Sequence, residues 1–305
     1  MICYNSDDNI NKEPCVIALG NFDGVHRGHV HLLSMAREYA VKNGLKFGVY
    51  TFDVHPKIVC GENNFRLLNT NAQRVLEFEN NGADFVYFED FRRVKDFDKN
   101  AFVAYLCEKF DCQAVFCGEN FRYAKGASGT NLTLRDDMEK LGRKAFSVSL
   151  FEIDGQCVSS SIIRKLLEEG NVEKANELLG YDFSVEGKVV HGNNIGHTLG
   201  FPTVNVRPES FLVMPKFGVY ASRISVEDKM YNGVTNIGIK PTVEKNGNAV
   251  LAETNIFGFA GNLYGQYVKV SLCRMLREEK RFESLDQLRN AVFNDIKNAT
   301  EYFGE

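Results

Sequence analysis

CVIALGNFDGVHRGHVHLLSMAREYAVKN, Cys15 to Asn43, reads as one strand, one turn and one helix. Cys15 to Leu19 is an unbroken apolar run, the mark of a strand buried on both faces. From Val30 onward apolar residues return at Val30, Leu33, Ala36 and Ala40, which is helical spacing, and Gly44 stands where a helix stop belongs. Between them lies Gly20-Asn21-Phe22-Asp23-Gly24-Val25-His26-Arg27-Gly28-His29. One helical turn separates His26 from His29, so both imidazoles can point the same way from the helix start. A helix N-terminus offers unpaired N–H groups and partial positive charge to a phosphate. Two imidazoles beside it add donors that can follow charge onto phosphate oxygens. The chemistry that suits this turn is phosphoryl or nucleotidyl transfer.

Downstream, strands and helices alternate. Leu45 to Phe52 reads as a second strand, and His55 at its C-terminal end is placed to face the same crevice. Thr70-Asn71-Ala72-Gln73 predicts a capping box opening a helix that Gly82 ends, followed by a strand over Ala83 to Phe88. Ala101 to Phe110 and Ala114 to Cys117 repeat the pattern and lead into a turn with Asn120, Phe121, Arg122 and Lys125, suited to a planar ring and an anion. A helix over Leu132 to Leu141 and a strand over Ala145 to Phe151 complete a doubly wound, mostly parallel α/β sheet. Ser159-Ser160-Ser161 opens another helix carrying Arg164, whose guanidinium suits polyphosphate, and Val172 to Leu179 forms one more before Gly180.

The periodicity changes at Tyr181 to Ser184, which sets the expected domains at 1–180 and 181–305. Val185 to His191, Phe217 to Val226, Met230 to Ile237, Val250 to Phe257 and Tyr267 to Leu276 are extended, with Glu227-Asp228 as a hairpin turn. Strands without helices predict an antiparallel sheet or barrel, here an all-β barrel of six-stranded type. A terminal helix over Leu285 to Tyr302 would pack on it through Leu285, Leu288, Val292 and Ile296. Around Gly187, Lys188, His191, Gly192, Gly196, Thr198, Gly200 and Pro202 the glycines allow backbone N–H groups to approach phosphate. On an extended segment Thr203 and Asn205 leave the same face, and their oxygens could hold a magnesium ion that keeps waters and phosphate ligands. A Gly-rich turn between strands fits the same residues.

Composition narrows the function. The 305 residues are 44% hydrophobic and 25% charged, as in an ordinary soluble protein long enough for two domains. A net charge of −4 gives no field for nonspecific binding of nucleic acid or anionic lipid, and no apolar run has the length of a membrane span. A cytoplasmic protein, acting on small molecules as a monomer or weak homo-oligomer, is expected. The eight cysteines include no Cys-x-x-Cys pair, and Cys107, Cys112 and Cys117 read as buried thiols.

The turn from Gly20 to His29 resembles the H-x-G-H signature of nucleotidyltransferases in its bacterial FAD synthetase form. The second half resembles bacterial riboflavin kinases: their Pro-Thr-Ala-Asn motif appears as Pro202-Thr203-Val204-Asn205, with further matches at Phe217-Gly218-Val219-Tyr220, Glu253-Thr254-Asn255 and Asn262-Leu263-Tyr264-Gly265. Together these make the chain similar to bifunctional riboflavin kinase/FAD synthetases over nearly its whole length. The resemblance implies that riboflavin is phosphorylated to FMN and FMN adenylylated to FAD, with ATP as co-substrate and Mg2+ as cofactor. It makes His26 and His29 catalytic at the ATP phosphates, Glu253 the kinase base, and Thr203 and Asn205 the magnesium ligands. It assigns ATP to Gly20, Phe22, Asp23, Gly24, Gly28, Ser160 and Arg164 and to the Gly187–Pro202 residues named above, and flavin to His55, Asn120, Phe121 and Arg277. Departures are Val54 for a common proline, Ser161 for a threonine, Asn255 for a histidine and Gly258 for an acidic residue. Two other readings are a nucleotidyltransferase for another phosphorylated acceptor and a flavin-binding regulator with an inactive kinase half.

Overall fold

Five consecutive buried residues make Cys15–Leu19 (β2) an inner strand with helices on both its faces. The computed structural model describes residues 1–191, 201–226, 229–241 and 248–304, which divide into two units, Met1–Ser160 and Ser161–Glu305. In the first, β2 lies in a six-stranded sheet with β1 (Ile2–Asn5), β3 (Lys46–Phe52), β4 (Phe85–Glu89), β5 (Cys112–Gly118) and β8 (Lys144–Val148). The order is β1-β4-β3-β2-β5-β8, and every pairing is parallel. Two short hairpins decorate it, β6 (Arg122–Tyr123) with β7 (Gly129–Thr130) and β9 (Glu152–Ile153) with β10 (Gln156–Cys157).

Alternate residues of β2 serve two cores. Val16 and Ala18 pack with Leu33, Ala36 and Ala40 of α1 (Arg27–Asn43) and Phe78 of α3 (Asn71–Asn80). Cys15, Ile17 and Leu19 face Phe102, Leu106 and Phe110 of α5 (Lys99–Phe110) and Leu134 and Met138 of α6 (Asn131–Lys140). Each fully buried Leu or Phe contributes about 1.5–3 kcal/mol. Short helices α2 (Pro56–Val59) and α4 (Phe91–Val94) follow β3 and β4. The capping box at Thr70 forms as predicted: Gln73 N–H donates to Thr70 Oγ1 at 3.2 Å and Thr70 N–H to Gln73 Oε1 at 2.8 Å.

Strand β1 lies in the polar segment before Cys15, where the apolar pattern marks no strand. It is an edge strand whose residues are largely exposed, Ile2 included, so burial imposes no apolar pattern on it. Cys112 and Cys117 are buried and Cys107 half-buried; burial pushes the Cys117 thiol up to about 12 and Cys112 well above its ordinary value.

In the second unit β11 (Ser184–Val190), β12 (Val204–Pro208), β13 (Gly218–Val226), β14 (Lys229–Pro241), β15 (Asn248–Ile256) and β16 (Tyr267–Glu278) close a barrel in the order β11-β12-β15-β14-β13-β16. β12 is the strand that the five extended segments left out. The Glu227-Asp228 turn lies outside the described residues, although β13 and β14 pair up to Val226 and Lys229. This unit also holds most of α7 (Ser160–Glu169) and all of α8 (Val172–Leu179). Asn176 of α8 donates to Leu272 O at 2.8 Å and accepts from Phe183 N–H at 2.8 Å, tying the helix to the barrel.

The terminal helix, α9 (Leu285–Phe303), sits on the barrel through the expected face, but the contact starts later than expected, beyond its first turn. Leu285 is exposed, while Ala299 packs with Val219, Ala221 and Val234, and Ile296 and Phe303 flank them. Asp295 is buried on this face because Arg277 of β16 holds it in a bidentate pair, Nε to Oδ1 at 2.9 Å and Nη2 to Oδ2 at 2.8 Å.

Candidate active sites

In the first unit the chain runs from β2 outward to β3 and β4, then crosses back to β5, so the switch point lies between β2 and β5. Open parallel sheets bind ligands at the carboxyl ends of such strands. The Gly20–His29 turn leaves β2 there, and the Gly118–Phe121 turn leaves β5.

The first turn is tightly held. Phe22 and Val25 have φ of 49° and 33°, unusual for residues with a Cβ, and both are fully buried. Asp23 accepts from Leu68 N–H at 2.9 Å, and Gly24 N–H donates to Asn69 Oδ1 at 2.9 Å. Ser160 Oγ donates to Asp23 O at 2.8 Å, and Arg164 follows one helical turn later, in the second unit. His26 caps α1 through Nδ1, which accepts His29 N–H at 3.3 Å; its proton therefore sits on Nε2. The two rings stack with centroids 3.7 Å apart and planes at 14°. Gly28 permits this, since a Cβ there would stand 3.2 Å from the His26 ring.

Burial keeps both imidazoles neutral. His26 is pushed down to about 4, and His29 is pushed well below its ordinary value by burial, then by His26 and Arg74. Among the described residues His29 Nδ1 is buried without a hydrogen-bond partner. The unfolded chain, with imidazole near ~6.5, takes up the proton before the folded one, so stability is full above that pH and falls as pH drops toward the folded value near 4. For His26 alone the loss approaches about 3 kcal/mol. Urea denaturation of wild type should therefore weaken from pH ~7 to ~4.5 by more than that of His26→Asn, which keeps a capping acceptor. Equal declines would remove His26 from the acid sensitivity.

Beside the turn, His55 caps α2, accepting Lys57 N–H at 3.2 Å, and stacks on Phe65 at 4.4 Å. It lines a small open recess with Asn21, Asp23, Phe52, Pro56, Leu67 and Arg74. Asn120 is exposed on the β5 turn, and Phe121 stacks on Tyr123 with centroids 6.0 Å apart. Arg74 escaped the sequence reading, because arginine counts as a solvent residue in an apolar pattern. Its one available signal is the i, i+4 spacing to Phe78, which puts both on the buried face of α3.

In the barrel, register builds a second polar row. Asn205 of β12 lies directly opposite Glu253 of β15, and Glu253 directly opposite Asn236 of β14. Directly opposed residues share a face, so the three side chains stand in line across three strands. On the other face Ser222, Thr235 and Thr254 are fully buried and linked hydroxyl to hydroxyl at 2.7 and 2.9 Å. Asn205 is 4% exposed, and among the described residues its Oδ1 has no hydrogen-bond partner. A buried, unsatisfied amide oxygen beside a carboxylate fits a hard cation. Among the described residues no group of three or more His, Cys, Asp and Glu could hold a metal ion.

Thr203 precedes β12 and is half-buried, and Pro202 O accepts from Asn255 Nδ2 at 2.9 Å. Asn255 thus pins the proline motif to β15. Gly187 lies where a Cβ would meet Arg207 O at 2.2 Å, so it lets β11 and β12 approach. Lys188 follows in β11, and His191 stacks on Tyr264 at 4.0 Å. Gly192, Gly196, Thr198 and Gly200 lie outside the described residues. Arg277 has Nε and Nη2 engaged by Asp295, and Nη1 donates to Glu278 O at 3.1 Å, so these bonds use three of its five N–H donors.

A family model described as FAD synthetase matches residues 8–162, and one described as riboflavin kinase matches residues 179–303. The bifunctional riboflavin kinase/FMN adenylyltransferase of Bacillus subtilis is 35% identical over 94% of this chain and 92% of its own. That of Escherichia coli K12 is 35% identical over 96% of this chain and 94% of its own. A crystal structure described as a macrolide-efflux protein from Streptococcus pneumoniae is similar with a TM-score of 0.89 at 28% identity, covering 99% of each chain. Among the described residues no helix is long and apolar enough to cross a membrane.

Proposed function

The chain belongs to the bifunctional riboflavin kinase/FMN adenylyltransferase family, and from that premise we propose how its residues divide two reactions. The protein makes FAD from riboflavin in two ATP-dependent steps, phosphorylation to FMN and adenylylation of FMN with release of pyrophosphate. Residues 1–180 carry the adenylylation and residues 181–305 the phosphorylation. The observation that carries the first assignment is the neutral, stacked His26–His29 pair at the start of α1.

In adenylylation an oxygen of the FMN phosphate attacks the α-phosphorus of ATP, and the bond to pyrophosphate breaks. FMN brings its own anion, so no base is needed. The N–H groups of His26 and His29 donate to phosphate oxygens as charge moves onto them, which favours imidazoles that enter uncharged. Gly20, Phe22, Asp23, Gly24, Gly28 and Ser160 form the ATP side of this site, and His55, Asn120 and Phe121 the flavin side.

In phosphorylation a riboflavin hydroxyl attacks the γ-phosphorus of ATP, its proton passes to the Glu253 carboxylate, and ADP leaves. Thr203 and Asn205 would hold a magnesium ion, which when bound neutralises polyphosphate charge. Gly187, Lys188, His191, Gly192, Gly196, Thr198, Gly200 and Pro202 line the nucleotide, and Arg277 the flavin. The protein acts in the cytoplasm on small molecules, as a monomer or weak homo-oligomer.

Purified protein incubated with riboflavin, ATP and magnesium should yield FMN and then FAD on chromatographic separation of the flavins. Unchanged riboflavin together with unchanged supplied FMN would defeat the assignment. A fragment beginning near Tyr181 should still make FMN and never FAD. Should it fold and leave riboflavin untouched, the kinase is not confined to residues 181–305.

A further inference from the structure

Arg74 is 6% exposed, and its guanidinium reaches three separate pieces of the adenylylation site. Nη1 donates to Asn21 O at 3.0 Å, in the turn that carries the histidines, and to Thr51 Oγ1 at 3.0 Å in β3. Nη2 donates to Phe52 O at 2.8 Å, at the end of β3, and to Asn71 Oδ1 in the first turn of α3. The guanidinium also stacks over the Phe88 ring, 5.2 Å from its centroid. All four acceptors are neutral, and among the described residues no carboxylate pairs with this arginine within 4.0 Å. Burying a charge is costly, and a neutral side chain could pack here without that cost. A cation held without a contacting counter-charge, in the wall of a recess beside a phosphate-binding turn, has a use where the substrates are polyanions.

We propose that Arg74 is a positioning residue for adenylyl transfer: its fork locks the Asn21–His29 turn to the end of β3, and its standing charge favours anionic substrates and uncharged histidines there. This rests on the adenylylation assigned above. Burial pushes Arg74 down to about 10, against Asp23 and Asp53, so it stays charged at neutral pH. That charge adds to burial and His26 in holding His29 unprotonated. The titratable groups around the pair are His26 and Asp23 in the turn, Asp53 after β3 and His55 before α2.

The test uses the full chain with Arg74→Lys, which keeps the charge and loses the fork, and Arg74→Met, which loses both. FMN adenylylation is followed across roughly pH 5 to 9, with riboflavin phosphorylation by the same samples as the control for folded protein. Arg74→Lys should lower kcat/KM for FMN adenylylation about tenfold with its acid limb unmoved. Arg74→Met should lower it about 10²-fold and move the acid limb to higher pH, because His29 then protonates more readily. Phosphorylation should stay within about twofold in both. Adenylylation per folded molecule equal to wild type in both variants, or losses with the Arg74→Met limb unmoved, would overturn the proposal. If Arg74→Met does not fold, Arg74→Lys decides: a tenfold loss at unchanged thermal midpoint supports it, and no loss overturns it. A wild-type chain that leaves FMN unadenylylated fails the assigned reaction itself, which the variants then do not reach.

Discussion

Glu253→Gln lowers kcat for FMN formation by about 10² to 10⁴ while leaving ATP binding nearly unchanged. The riboflavin hydroxyl is a poor nucleophile at neutral pH, and a carboxylate within reach can take its proton as the bond to phosphorus forms. Phosphoryl transfer has a loose transition state, so positioning and charge neutralisation share the barrier, which is why the range is wide. Register supports the choice of residue, since Glu253 stands directly between Asn205 and Asn236 on neighbouring strands. Glutamine keeps the shape and the hydrogen-bonding reach of that row but not its basicity. Asn205→Ala is expected to behave differently, raising the apparent KM for magnesium–ATP by removing the buried oxygen suited to the ion. The check is steady-state kinetics beside thermal unfolding. If Glu253→Gln lowers the unfolding midpoint and leaves turnover per folded molecule intact, Glu253 is a strut of the barrel and not its base.

His29→Ala should lower FMN adenylylation by roughly 10²-fold, the usual loss when one transition-state donor is removed, with riboflavin phosphorylation near wild type. The start of α1 survives the change, because His26 Nδ1 takes the backbone N–H of residue 29 and not its ring. What disappears is an uncharged imidazole stacked on His26, and with it a buried Nδ1 that has no hydrogen-bond partner among the described residues. Measuring both activities on one preparation separates the causes. Equal loss of the two would point to misfolding, and adenylylation untouched would remove His29 from the chemistry.

The strand, the turn and the helix between Cys15 and Asn43 were legible in the sequence because their causes are local. An apolar run, a helix face at Leu33, Ala36 and Ala40, and a glycine stop at Gly44, with φ of 65°, each act within a few residues. The capping box at Thr70 and the change from alternating helices and strands to strands alone are legible for the same reason. Burial of a charge and pairing of distant strands are set elsewhere. Asn21 and Arg74 are 53 positions apart, and nothing near Arg74 tells that its guanidinium faces inward. Asn205 meets Glu253 only through the β12–β15 register, which the closing of the barrel decides. Asp295 likewise looks like a solvent residue until Arg277 reaches it across the helix–barrel packing. Local periodicity and capping chemistry thus determined most of the elements, though not β1 or β12, and the place of the Gly20–His29 turn between β2 and α1. Which polar groups lost water, and which partners replaced it, followed only from tertiary packing, because desolvation depends on everything that surrounds a side chain and not on its neighbours in the chain.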